Sequence, residues 1–512
     1  MARSSIAYEA LRRRLLPLSR WFLLFYAVLA PHSIAGAQGS ALVLALLWGL
    51  EQWLAAGDTT LPAPASRWRE AAQRWWPLAF FFAMCTVSAL MSYEPRWSLD
   101  GLRSVAFMAT CGIVAFWVQS RAQAWCLAWT LLLSAQVGLL YTGYQLLVGG
   151  GVRLVELSPD SPLHPYFQPG DVVLRVDDEV VHTPEDIARL VLRKSRPSSQ
   201  PVRLTGRRIE LPLTAPLDRA ALQSRLVLLG PAGLGIRASA PARDFRASGF
   251  FSHYVTYAEV LQILISLALG MAWRTVGRRR WWLWGLALLL LLALGLTLSR
   301  GPTGGLIVSV GVMLYLLWRE GAVGTPRVVM GLAIAGILLS SALAYAYAMR
   351  HMSVVDAREG SLFWRLVVWQ EGIGLVAKHP WFGIGRYSDK LHAAEWGLYA
   401  HGDLPPGHFH NTYLQVAVWY GLPALAAYLW LLLTYVGQLL RRRRDGIALG
   451  ALGALTGFAA SGIAHFNLGD GEVAMALWFV VGVALGMPVA AETPPGHPPS
   501  RHEGVSSRDC FT

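Results

Sequence analysis

His408-Phe409-His410-Asn411-Thr412-Tyr413 leads into an apolar run that ends at Leu440, and Arg441-Arg442-Arg443-Arg444 closes it. A run of that length, with polar residues at one mouth and four arginines at the other, reads as a membrane-crossing helix. A histidine and an amide at the mouth of such a helix are costly in lipid, so they point to a function. His410 is therefore the first candidate for a reacting centre.

Outward from that stretch the pattern repeats. The chain is 54% hydrophobic and 15% charged, with mean hydropathy +0.41. Soluble domains carry about 25% charged residues, so the composition is that of a membrane protein. Apolar runs follow at Trp21–Ala37, Ala41–Ala56, Pro77–Met91, Leu102–Val118, Trp125–Leu147 and Tyr257–Trp273. They continue at Trp281–Leu298, Gly304–Trp318, Val328–Ala348, Thr412–Leu440, Ile447–Ala464 and Val473–Val489. The expected fold is all-α and polytopic, with about twelve transmembrane helices. The net charge of +13 does not point to nucleic acid, because the arginines lie between apolar runs rather than on a basic amphipathic face. Cys85, Cys111 and Cys126 lie in apolar runs and Cys510 in the tail, so neither a disulfide framework nor a zinc site is indicated.

Arginine placement sets the orientation. With a cytoplasmic N-terminus and an uncleaved first span, the inner loops hold Arg12–Arg14, Arg67 to Arg74, Arg121, Arg274 to Arg280, Arg319 and Arg327, and Arg441–Arg444. The expected layout is spans one to five in 1–147, an outer insert in 148–245 and spans six to nine in 246–348. An outer catalytic loop in 349–411, the last three spans in 412–490 and a disordered cytoplasmic tail in 491–512 complete it. The polar clusters then face the periplasmic or extracellular side, where ATP and nucleotide sugars are absent, so a transfer there needs a donor already activated on a membrane carrier.

The insert breaks the pattern. Pro169-Gly170-Asp171 opens a strand, Asp177-Asp178-Glu179 turns, and Thr183-Pro184-Glu185-Asp186 starts a helix with a cap, a proline at N1 and acids in the first turn. A hairpin around Gly206 is expected to follow. Ser161-Pro162, Pro169 to Leu174 and the strand–turn–helix through Leu192 resemble a bacterial PDZ domain. Gly233-Leu234-Gly235-Ile236 stands where a circular permutation would put the peptide-binding loop. The resemblance implies a small α+β module, either docking a peptide or protein by strand addition or serving as a spacer.

Four outer clusters carry the candidate chemistry. Arg246 and His253 stand in the first, and Ser299-Arg300-Gly301 forms the second. Arg365 with Gly383 and Gly385 of His379-Pro380-Trp381-Phe382-Gly383-Ile384-Gly385 is the third, and His410-Asn411 followed by Gly421 is the fourth. A guanidinium presents a rigid fork to phosphate, and a neutral histidine can accept a hydroxyl proton. His351, His379, His392, His401 and His408 read as solvated loop residues, and His465 and Asp470 as structural. No Asp-x-Asp or other carboxylate cluster surrounds His410, so no metal and no cofactor are expected.

Leu298-Ser299-Arg300-Gly301, Arg365 with Trp369, His379 to Gly385 and His410-Asn411-x9-Gly421 resemble the O-antigen ligase and polymerase superfamily of bacterial membrane glycosyltransferases. Ala424 stands where the ligase signature has Gly, Thr or Tyr. The resemblance implies a GT-C-like enzyme of the bacterial inner membrane. Its donor would be a glycan on undecaprenyl pyrophosphate, and its acceptor the lipid A core or another hydroxyl. By that resemblance Arg300 and Arg365 hold the pyrophosphate and His410 acts on the acceptor hydroxyl. Asn411, Arg246, His253, Gly383, Gly385 and Gly421 would complete the substrate site. An O-antigen polymerase, a protein O-oligosaccharyltransferase and a non-catalytic PDZ-bearing scaffold or transporter are the alternatives.

Overall fold

The computed structural model describes residues 2–56, 64–193, 200–208, 211–242, 246–324, 360–402 and 406–488. The expected span Val328–Ala348, the first part of the 349–411 loop and the tail lie outside them. The chain divides into two compact units, one of Met1–Leu139 with Ala247–Thr512, the other of Leu140–Arg246.

The first unit is helical. Among the described residues seven helices are long and apolar enough to cross a membrane: Ile34–Trp53, Pro95–Trp117, Arg121–Val148, Tyr254–Arg274, Arg278–Thr297, Arg300–Arg319 and Thr412–Arg441. Shorter apolar helices run over Leu15–Leu29, Trp75–Leu90, Gly446–Ser461 and Gly471–Gly486. At 1.5 Å per residue, a helix of about 20 residues spans the hydrocarbon core. The chain is thus a multi-pass membrane protein. One boundary differs from expectation: Trp21–Ala37 is not one span, because the first helix ends at Leu29 and the next begins at Ile34. Pro31 lies in the turn between them, and Ser33 Oγ accepts from the Gly36 N–H at 3.2 Å to start the second helix.

The Gly446–Ser461 helix packs by its glycines. A Cβ on Gly450 would lie 2.7 Å from Leu267 Cα, and one on Gly457 would lie 2.7 Å from Gly305 O. Within lipid, small residues let helix backbones approach closely, and van der Waals contact replaces the hydrophobic effect. This glycine stripe draws the Tyr254–Arg274 and Arg300–Arg319 helices together. Three arginines of one bundle end find acids there. Glu320 binds Arg443 at 2.7 Å and also Arg274, and Asp445 binds Arg121. The inner-loop arginines Arg121, Arg274 and Arg443 of the sequence reading therefore gather through acidic partners.

The second unit has its own core of Leu154, Phe167, Val173, Val176, Ile187, Val191 and Leu204. Its strands are β1 (Val152–Leu157), β2 (Val172–Val176), β3 (Glu179–Val180), β4 (Val202–Arg208), β5 (Leu211–Leu217) and β6 (Ile236–Pro241). They pair in the order β5-β4-β2-β1-β6, with β3 on β2. The Pro184–Leu192 helix starts as expected, with a capping box between Thr183 and Asp186. The hairpin around Gly206 is corrected: β4 runs straight through Gly206, and β5 begins at Leu211. Gly206 is small because the Phe167 ring and the Val172 carbonyl press on it; a Cβ would sit 2.3 Å from Val172 O. A glycine in a strand can mark close approach as well as a turn.

Candidate functional site

A cavity of about 730 Å³ opens within the helical unit. His253, Thr256, Arg365, Lys390, His408, His410, His465, Asp470 and Glu472 line it, with Trp419 and Tyr399. His410 adopts φ +50°, a left-handed conformation costly for a residue with a Cβ. Phe409 before it is held on every side. Its N–H donates to Gln415 Oε1 at 2.7 Å, and its carbonyl accepts from Trp369 Nε1 at 2.7 Å. Asn411 after it caps the Thr412–Arg441 helix, its Oδ1 accepting from the Leu414 N–H at 2.9 Å. Asn411 is not among the cavity-lining residues.

His410 does not stand alone. Its ring lies 4.1 Å from that of His408, which lies 5.6 Å from that of His465. His408 is therefore not a solvated loop residue, and His465 lines the same cavity. Nothing in the spacing of 408 and 465 announces this; helix packing brings them together. Thr412 Oγ1 donates to the His465 carbonyl at 3.0 Å and to Asn467 Oδ1 at 2.9 Å. Ser461 Oγ donates to the buried Glu259 at 2.8 Å and accepts from Asn467 Nδ2 at 2.9 Å. This network ties three helices behind the histidines.

Electrostatics keep these rings neutral. Burial pushes His410 down to about 4, with Arg365 and His253 adding to the effect. Burial pushes His408 down to about 2 and His465 down to about 3, and the neighbouring His410 ring lowers both further. The buried Nδ1 atoms of His410 and His465 have no hydrogen-bond partner among the described residues. In the same cavity burial holds Asp470 well above the usual carboxylate range, and Glu472 beside it acts the same way. Thr256 Oγ1 donates to Asp470 Oδ2 at 2.6 Å. Asp470 thus belongs to the cavity, a place its sequence context did not reveal.

The cations differ from those at the bundle's other end. Burial lowers the Arg365 guanidinium, and Arg300 nearby lowers it further. Neither arginine forms an ion pair among the described residues, nor does Lys390. Arg300 is exposed at the first turn of the Arg300–Arg319 helix and Arg365 sits on the Gly360–Lys378 helix. That helix is a correction, because a loop was expected there. His253 lines the cavity and caps the Tyr254–Arg274 helix, its Nδ1 accepting from the Val255 N–H at 3.2 Å. Arg246 lies half-buried at the boundary of the second unit and does not line the cavity.

The three glycines Gly383, Gly385 and Gly421 have a backbone place instead. The Thr412–Arg441 helix breaks at Gly421, whose φ is +83°. Pro423 has no N–H, so the Trp419 carbonyl loses its helical donor. The Gly385 N–H supplies that bond at 2.9 Å, and the Ile384 N–H bonds the Val418 carbonyl at 2.9 Å. The Leu422 N–H bonds Pro380 O at 2.7 Å in return. A Cβ on Gly421 would lie 2.2 Å from Trp381 O, and one on Gly383 2.5 Å from Val418 O. The His379–Gly385 loop is thus laid across the broken helix and fixes Trp419 at the cavity wall.

Residues 285–429 match the O-antigen ligase family. The match supports the O-antigen ligase superfamily for this chain. The matched stretch holds Arg300, Arg365, the His379–Gly385 loop, His410 and Gly421, while His253, His465 and Asp470 lie outside it. No curated protein is found to match the chain. Among the described residues no group of three or more His, Cys, Asp or Glu has the geometry to hold a metal ion.

Proposed function

We propose that the protein is an O-antigen ligase-type glycosyltransferase of the bacterial inner membrane, its cavity open to the periplasm. It transfers a glycan from undecaprenyl pyrophosphate to a hydroxyl of an acceptor such as the lipid A core. The observation that carries the proposal is the shared cavity: among the described residues Arg365 has no ion pair and His410 Nδ1 no hydrogen-bond partner, and both residues line the same space. The acceptor oxygen bonds to the anomeric carbon as the bond from that carbon to the phosphate oxygen breaks. The electron pair leaves on the pyrophosphate, where Arg365 and Arg300 offset the charge. The roles of acid and base divide. A histidine lowered to about 4 is a weak base, so His410 accepts a hydrogen bond from the acceptor hydroxyl and orients it. Asp470, raised toward neutrality, is the better match for taking the proton. The reaction as drawn uses no metal, so chelation with EDTA is expected to leave the rate unchanged.

The test compares lipopolysaccharide from cells with and without the protein. Loss of all capped chains, with lipid-linked polymer accumulating, means ligase; core bearing a single repeat means polymerase. His410→Ala is expected to lower transfer about 100-fold or more. Unchanged polysaccharide in both the deletion and His410→Ala would leave only the scaffold or transporter reading. The second unit's β6 ends the sheet path, so it offers an edge for strand addition and is proposed as a docking strand for an extended peptide.

A further inference from the structure

We infer that Glu371, which does not line the cavity, is a positioning residue for His410 and acts through a left-handed turn at Tyr399–His401. The inference rests on the reading that His410 stands at the reacting centre. Tyr399, Ala400 and His401 have φ of +56°, +55° and +55°. Three successive residues with a Cβ in that conformation are costly and need something to hold them. Glu371 supplies it. Its Oε2 accepts from the Tyr399 N–H and its Oε1 from the Ala400 N–H, both at 2.9 Å. Among the described residues Glu371 forms no ion pair, so both oxygens serve the turn.

The turn delivers one side chain to the site. Tyr399 is 2% exposed, and its ring stacks on Phe409 at 6.2 Å with planes 18° apart. Its hydroxyl donates to Asp389 Oδ2 at 2.8 Å, while Trp419 Nε1 donates to Asp389 Oδ1 at 3.1 Å. Asp389 is fully buried and so registers Tyr399 against the cavity wall at Trp419. Phe409 immediately precedes His410, and its carbonyl is held by Trp369 of the same Gly360–Lys378 helix that carries Glu371. One helix therefore holds Phe409 from two directions, directly through Trp369 and indirectly through Glu371 and Tyr399. The left-handed His410 has a frame only while Phe409 stays put.

The experiment uses full-length protein in lipid nanodiscs. Glu371→Ala removes both acceptors, Glu371→Gln keeps one, and Ala400→Gly removes the conformational cost at one turn position. Hydrogen exchange is read at Tyr399–His401 and at Phe409–His410, with the Tyr254–Arg274 helix as the control for folding. Glu371→Ala is expected to speed exchange at both segments and to lower kcat about 100-fold, with donor KM within about twofold. Glu371→Gln falls between, and Glu371→Ala with Ala400→Gly recovers at least half of the loss on a logarithmic scale. Unchanged exchange at Phe409–His410 in Glu371→Ala overturns the inference, and so does a double variant no better than the single one. His410→Ala in the same assay separates the two ideas. Wild-type transfer by that variant sinks the functional reading, while the exchange data still decide whether Glu371 holds the segment.

Discussion

The two ends of the helical bundle treat positive charge in opposite ways. At one end Glu320 joins Arg274 and Arg443, and Asp445 joins Arg121. At the cavity, Arg365 and Lys390 form no ion pair among the described residues, nor does Arg300 near Arg365, and the acids Asp470 and Glu472 face Thr256 and each other instead. Arg121, Arg274 and Arg443 are neutralised at the end where they anchor the bundle. Leaving cations unpaired beside half-buried histidines costs stability, and such strain is characteristic of functional sites. The proposed pyrophosphate donor would supply the missing charge.

Substitutions at each end test that contrast. The largest effect is expected from Arg365→Ala, a loss of about 100- to 1000-fold in transfer with thermal stability equal to or above that of the wild type. Arg365→Lys keeps the charge without the fork and should recover only part of the rate. A variant with full activity would show that the unpaired cation is not used. Next is Gly421→Ala, which puts a Cβ 2.2 Å from Trp381 O at φ +83°. It is expected to destabilise the protein by about 3 kcal/mol, seen as a lower melting midpoint in detergent. At the paired end, Glu320→Ala strands two arginines and is expected to cost about 2 kcal/mol, with the rate per folded molecule unchanged. A change in rate without a change in stability there would erase the distinction between the ends.

The smallest effect is the pH slope of stability. His408, His410 and His465 are held below their ordinary value in the folded state, so the unfolded chain binds more protons below about pH 6.5. Asp470 works the other way, because its carboxyl is raised and the folded state holds that proton. The buried Asp389 carboxyl, also raised, acts with Asp470, so the histidine contribution is read by difference: each neutral buried histidine should cost on the order of 1 kcal/mol per pH unit as pH drops from 6.5 toward 4. Melting midpoints across that range measure the slope, and His408→Gln should flatten it. A slope left unchanged by His408→Gln would mean that the His408 ring is not held neutral by burial.

Much of the bundle was legible beforehand because membrane helices obey a length and polarity rule that acts locally. The Thr183 cap and the Asp177–Asp178 turn were legible for the same reason: each satisfies backbone groups within a few residues. Gly206 misled because a glycine marks either a turn or a close contact, and the Phe167 ring that decides between them lies far along the chain. The helix at Gly360–Lys378 was missed because its charges and polar neighbours resemble a loop.

The sequence by itself determined that this chain crosses a membrane repeatedly, that an α+β unit interrupts the crossings, and that His410 sits at a helix mouth. Those are consequences of hydropathy, turn chemistry and arginine placement, all of them short-range. Only the tertiary structure decided which partners the histidine has. His408 and His465 close on it, Asp470 faces the same cavity, and Glu371 holds the turn behind it. The reason is physical: a buried polar group takes its value from whatever packing brings within a few ångströms, and residues far apart in the chain carry no mark of that meeting.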